Sequence, residues 1–221
     1  MTAADLLESP AVPAGTTRRM PPGIRLAWLH LRSRRVPAAV LALAACGGLL
    51  HSALHWHWAF TSGPYAQQVP MIIAAGAASV IAVTAHSPFG ETERATGRWL
   101  PCLRLLAAIG LTGLAILASQ LGAAGENLNG GIGVLARNVI GFTGLGLLCS
   151  LVTGGLLAWT LPMGYMAFCQ YALLEGWTAP STWPVRPAAD RGAWICACAV
   201  FATGLLLVTI RGPRTRLSDD S

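Results

Sequence analysis

Three groups of side chains in this 221-residue chain carry atoms able to do chemistry. The first is His51, His55 and His57, interleaved with Trp56 and Trp58. His51 and His55 are one helical turn apart and share a face, the spacing of two imidazole ligands to a transition metal or haem iron. The plainer alternative is an interfacial cap, in which the tryptophans anchor a helix end at headgroup depth and the imidazoles meet headgroups. The cap is the favoured reading, so no metal or other cofactor is expected. The second group is Glu91, Glu93, Arg94, Gly97, Arg98 and Trp99, set between Pro88 and Pro101. Opposite charges and an indole on so short a segment suit docking to a soluble partner; an ordinary basic loop has the same composition. The third group is Arg137 with Gln120, Tyr165, Gln170 and Tyr171, polar side chains inside otherwise apolar stretches and thus candidates for a substrate path. A charge within a membrane is costly enough to mark a functional candidate. For Arg137 the choices are an anionic substrate or headgroup, or structural pairing with Glu126, Glu175 or Asp190, and the pairing is favoured.

Other chemistries find little support. The six cysteines, Cys46, Cys102, Cys149, Cys169, Cys196 and Cys198, form no C-x-x-C pair, and all lie in or beside apolar stretches, where cysteine behaves as a small hydrophobe. No lysine occurs among the fifteen basic residues, which removes the Walker A phosphate loop and any lysine Schiff base. Neither G-x-S-x-G nor H-E-x-x-H is present, and no catalytic residue is assigned. Nucleic acid is not expected as a partner.

These groups sit on a strongly apolar frame. Hydrophobic residues make up 54% of the chain and charged ones 11%, against about 25% charged in a soluble domain. Arginines and acids collect between long apolar runs, the pattern of a polytopic membrane protein. Residues 1–21 read as a flexible cytoplasmic tail. Residues 22–35 form a basic amphipathic segment suited to a helix lying on the membrane surface. Six spans follow within 36–211, at about 36–54, 70–85, 105–121, 138–153, 156–173 and 192–210, and 212–221 form a second tail. The fourth and fifth spans are separated only by Gly154 and Gly155. Gly110, Gly113, Gly141, Gly144 and Gly146 are expected to serve close helix packing, and Pro162 to kink the fifth span.

Arginine placement tests the count. With six spans and a cytoplasmic amino terminus, twelve of the fifteen arginines fall inside, leaving Arg137, Arg186 and Arg191 outside. Merging the fourth and fifth spans sends the carboxy-terminal arginines outside as well, so positive-inside bias favours an even number and two cytoplasmic termini. The expected fold is an all-α polytopic bundle of six transmembrane helices behind an amphipathic interfacial helix, multi-pass in a bacterial plasma membrane. The lysine-free, Ala- and Gly-rich composition points to a GC-rich genome, as in actinobacteria.

At the second group the chain resembles the permease subunits of ABC-2 type transporters. The sequence Glu93-Arg94-Ala95-Thr96-Gly97 is similar to the glutamate-arginine and glycine signature of that family's cytoplasmic coupling loop, which follows the second span. The six-span layout and the preceding interfacial helix resemble it too. The family also carries a membrane-dipping, partly helical segment between its last two spans, which residues 175–190 match in position. The resemblance implies an exporter subunit for a hydrophobic or amphiphilic substrate, paired with a second permease copy or paralogue and driven by a separate ATP-binding cassette subunit. On that reading this chain is not itself an enzyme. The alternatives are a small haem- or metal-binding membrane protein using His51, His55 and His57, and a membrane scaffold or sensor without transport activity.

Overall fold

In a computed structural model, residues 36–56, 67–85, 100–125, 128, 131–176 and 179–211 are described. The described residues are mainly helical, with short turns and irregular connections and no strands. Among the described residues there are six α-helices: α1 Val36–His55, α2 Gln68–Ala85, α3 Leu100–Gly122, α4 Gly131–Thr153, α5 Thr160–Leu174 and α6 Arg191–Arg211. Two 3-10 segments join the later helices, Gly155–Leu157 between α4 and α5, and Pro180–Val185 between α5 and α6. The interfacial segment 22–35, both tails and the loop 86–99 lie outside the described residues.

Five helices, all but α5, are long and apolar enough to cross a membrane. An apolar helix satisfies its own N–H and C=O groups, which is why such sequences fold this way in hydrocarbon. At 15 residues, α5 reaches about 22 Å against a hydrocarbon core of about 30 Å. It is shorter than the expected fifth span because Gly155–Leu157 forms a 3-10 turn and the α-helix resumes only at Thr160.

The break after α4 is built by Gly154, whose φ of 79° belongs to the left-handed side that other residues rarely adopt. Side-chain contacts then run in antiparallel order. Thr160 lies beside Cys149, Pro162 beside Gly146, and Tyr165 beside Phe142. The chain therefore does reverse at Gly154. Pro162 falls in the first turn of α5, where its missing N–H removes no helical bond. It opens that helix instead of kinking it.

The axis of the bundle is α4. Two-thirds of its spanning window (67%) is buried against 22% for α1 and α6. It packs most extensively on α6 and α2, while α1 lies mainly on α3. A main core forms where Leu43, Met71, Ile81, Leu111 and Phe142 meet, and a smaller one joins Leu50, Leu54, Ala123 and Leu135 near one end. Of the five glycines expected to serve close helix packing, Gly144 and Gly146 do so, and Gly141 makes room for a side chain of the segment between α5 and α6. A Cβ on Gly144 would stand 2.5 Å from the backbone N of Phe201, one on Gly146 would stand 2.7 Å from Ala82 Cβ, and one on Gly141 would strike Trp183. Gly110 and Gly113 are different, since a Cβ on either meets nothing within 4 Å. They lie on the open face of α3, exposed with Leu106, Ile109 and Leu117, and their role in helix packing is not found. Gly47 and Gly122 take it instead, bringing α1 and α3 to backbone contact.

Candidate functional site

The densest polar construction is a strap of residues 180–190 folded back between α4, α5 and α6. It begins as the 3-10 segment Pro180–Val185, where two prolines prevent a regular α-helix. Thr182, Trp183 and Pro184 are fully or almost fully buried. Such a segment brings main-chain carbonyls away from water without a helical ladder to receive them, so side chains must supply donors. They come from α4 and α5. Arg137 Nη1 donates to Pro187 O at 2.8 Å, and Arg137 Nη2 to Arg186 O at 2.6 Å. Asn138 Nδ2 donates to Pro184 O at 3.4 Å, and the Tyr165 hydroxyl donates to Ser181 O.

Trp183 is the anchor of the strap. Its indole stacks on Tyr165 with ring centroids 4.7 Å apart and packs with Ala193 and Ala197 of α6. It fits because position 141 is glycine. A Cβ there would come within 2.5 Å of Trp183 Nε1. Past the strap, Arg186 Nε donates to Asp190 Oδ2 at 2.6 Å. Asp190 Oδ1 accepts the Ala193 N–H at 3.2 Å, the position of an N-cap for α6. The Arg186 guanidinium and the Ala193 amide hold the Asp190 carboxyl below the usual carboxylate range. Trp194 Nε1 closes the turn by donating to Ala188 O at 3.0 Å.

The favoured partner of Arg137 is corrected by this geometry. Arg137 has no exposed surface, yet among the described residues it makes no ion pair. Asp190 is bonded to Arg186 instead, and Glu175 makes no ion pair with Arg137. Glu126 lies outside the described residues. Neutral carbonyls of the strap take the place of the expected carboxylate. Arg137 Nε, Asn138 Oδ1 and Trp183 Nε1 are buried without a hydrogen-bond partner.

The chain matches no protein-family model, no curated protein and no solved structure.

The five path candidates do not converge. Arg137 and Tyr165 meet on the strap, but Tyr171 is 55% exposed and faces away from the bundle. Gln120 is half-buried on α3, and Gln170 on α5 has both amide atoms buried with no hydrogen-bond partner. His51 and His55 do share a face, with rings stacked at 5.7 Å and 11° between planes. Both are exposed, His57 lies outside the described residues, and no group of three potential metal ligands occurs among those described. The docking group Glu91, Glu93, Arg94, Gly97, Arg98 and Trp99 also lies outside them. Cysteines divide: Cys149 and Cys169 are buried, Cys46 and Cys196 half-buried, and Cys102 and Cys198 exposed. Cys149 Sγ touches Leu157 O at 3.3 Å and the hydroxyls of Thr153 and Thr160 at 3.4 and 3.5 Å, helping to tie the turn at Gly154.

Asn138, Thr182, Trp183 and Trp194 are members of this site that hydropathy does not single out. For the strap residues the signal was a tryptophan held between Pro180 and Pro184, followed by Asp190 at the threshold of the last apolar run, and Asn138 carries none. Asp in that place is a helix-start signature.

Proposed function

We propose that this chain is the transmembrane permease subunit of an ABC-type exporter, moving a hydrophobic or amphiphilic substrate with ATP hydrolysed on a separate subunit. The observation that carries the reading is the strap. A partly helical, proline-bounded segment between the last two helices, turned back into the bundle and clamped by Arg137 and Tyr165, is what the permease resemblance implies at that place. The reversal at Gly154 supports counting α5 as a crossing, completed by the residues that flank it. Six crossings then put both termini and the Glu93-Arg94 loop in the cytoplasm, where an ATP-binding subunit docks, and the strap on the outer side of a bacterial plasma membrane. The absence of lysine from the chain agrees with hydrolysis elsewhere.

Affinity purification of the full chain from native membranes tests the proposal. An ATP-binding subunit is expected to accompany it, together with a second permease, and the double change Glu93→Ala and Arg94→Ala is expected to release the ATP-binding subunit. Purification without any ATP-binding subunit, with partners unaltered by the double change, refutes it.

A further inference from the structure

Along the strap, two guanidiniums, Arg137 and Arg186, stand near Asp190, and only Arg186 is bonded to it. Arg186 stands at the surface with 28% of its side chain exposed and holds Asp190; Arg137 stands inside and holds no acid among the described residues. Since α4 begins at Gly131, Arg137 lies about 9 Å below its start. A cation so placed is strongly penalised unless its donors are met. They are met only in part. Two nitrogens reach carbonyls, and the fully buried Nε reaches no acceptor.

The two acceptors have a telling arrangement. They are oxygens of consecutive residues, Arg186 and Pro187, taken by the two terminal nitrogens at 2.6 and 2.8 Å. A guanidinium grips a carboxylate or a phosphate with the same two-pronged pattern. Here the strap presents two neutral oxygens to a fork suited to two anionic ones.

The geometry points to an oxyanion site: Arg137 and Arg186 receive the phosphate or carboxylate headgroup of an anionic amphiphile, which replaces the strap carbonyls when the strap lifts. The bonds to the carbonyls are already assisted by the guanidinium charge; what an anion adds is direct Coulombic attraction to both guanidiniums, and this favours the exchange. Arg186 meets the headgroup first, in competition with Asp190. Moving Arg186 also draws away its own carbonyl, one of the two that occupy Arg137. The ligand carries an apolar tail because exposed side chains at this end, Ile132 on α4 and Ile195 on α6, make the approach apolar.

The test uses the full chain in neutral detergent with three probes: phosphatidylglycerol, zwitterionic phosphatidylcholine, and inorganic phosphate. Native mass spectrometry reads retained lipid and tryptophan emission reads the strap through Trp183 and Trp194. Expected are retention of phosphatidylglycerol about tenfold above phosphatidylcholine, loss of that preference in Arg137→Gln, and no displacement by excess inorganic phosphate. Arg186→Gln leaves the grip of Arg137 on the main chain intact and is expected to weaken the preference about threefold, which decides the matter if Arg137→Gln does not fold. Equal retention of the two lipids, or an unchanged preference in Arg186→Gln, overturns the inference. An emission change with inorganic phosphate alone, without lipid preference, overturns the amphiphile in favour of a free anion. None of these outcomes depends on whether an ATP-binding subunit accompanies the chain.

Discussion

Glycine opens two contacts in this bundle to opposite ends. Along the seam of α1 and α3, Gly47 and Gly122 let one helix lie on another, and the buried hydroxyls of α3, Thr112 and Ser119, bond back to carbonyls of their own helix. On α4, Gly141 makes room for the Trp183 indole, and a non-helical segment follows it inward. The first contact needs nothing further, because each helix is already satisfied. The second obliges Arg137, Asn138 and Tyr165 to serve carbonyls that no ladder reaches. Irregular backbone at depth thus brings its own demand for polar side chains, and chemistry collects where the backbone is irregular.

Substitutions separate the two regions by size of effect. Arg137→Ala leaves two strap carbonyls buried without donors and is expected to cost about 1–3 kcal/mol for each, read as a lowered unfolding midpoint by circular dichroism in detergent. Retention of full stability would show that the strap is held without Arg137. Next comes Gly47→Ala. Its Cβ would stand 2.6 Å from the Ala118 carbonyl oxygen, so two backbones must part at a cost of about 2–3 kcal/mol. Gly141→Ala is expected to cost about 1–2 kcal/mol, because a side chain and not a backbone must yield. Adding Trp183→Phe is expected to recover part of that loss, which a helix-to-helix clash would not allow. Gly113→Ala, on the open face of α3, is expected to raise stability by about 0.5 kcal/mol, and a loss there would reveal a hidden neighbour.

The smallest effect concerns protons. The Asp190 carboxyl is held below its ordinary value, so its contribution to folding is complete above the unfolded value of about 3.9 and disappears as pH falls through the lower folded value. Strap fluorescence is accordingly expected to stay level on acidification to about pH 4 and to change below it. Asp190→Asn removes that step while leaving the α1 and α3 seam unaffected.

Much of this fold was legible because hydropathy reports length. The approximate places of the six described helices and the reversal at Gly154 follow from apolar runs and their punctuation, although α3 and α4 begin five and seven residues before the expected spans, so that Arg137 lies inside α4. Which face of each helix turns inward was not legible. In these spans apolar residues surround the helix on every side, so no polar stripe marks the outside, and Gly110 and Gly113 cannot be told from Gly141 and Gly144 by sequence alone. The site was half legible. Arg137 stood out as a charge within an apolar run, but its partners did not, since charge pairing is sought among acids and its acceptors are main-chain oxygens.

That choice of acceptor has a consequence for heredity. Arg137 holds its neighbours by atoms that every residue possesses, so changing the side chains at 186 and 187 leaves both bonds intact. Among descendants of this gene these two bonds place no constraint on which side chains stand at 186 and 187, and conservation of the strap rests on its other contacts, such as Trp183 against Gly141. Co-variation would pass over the contact, and its mark would be a solitary basic residue that no acid accompanies.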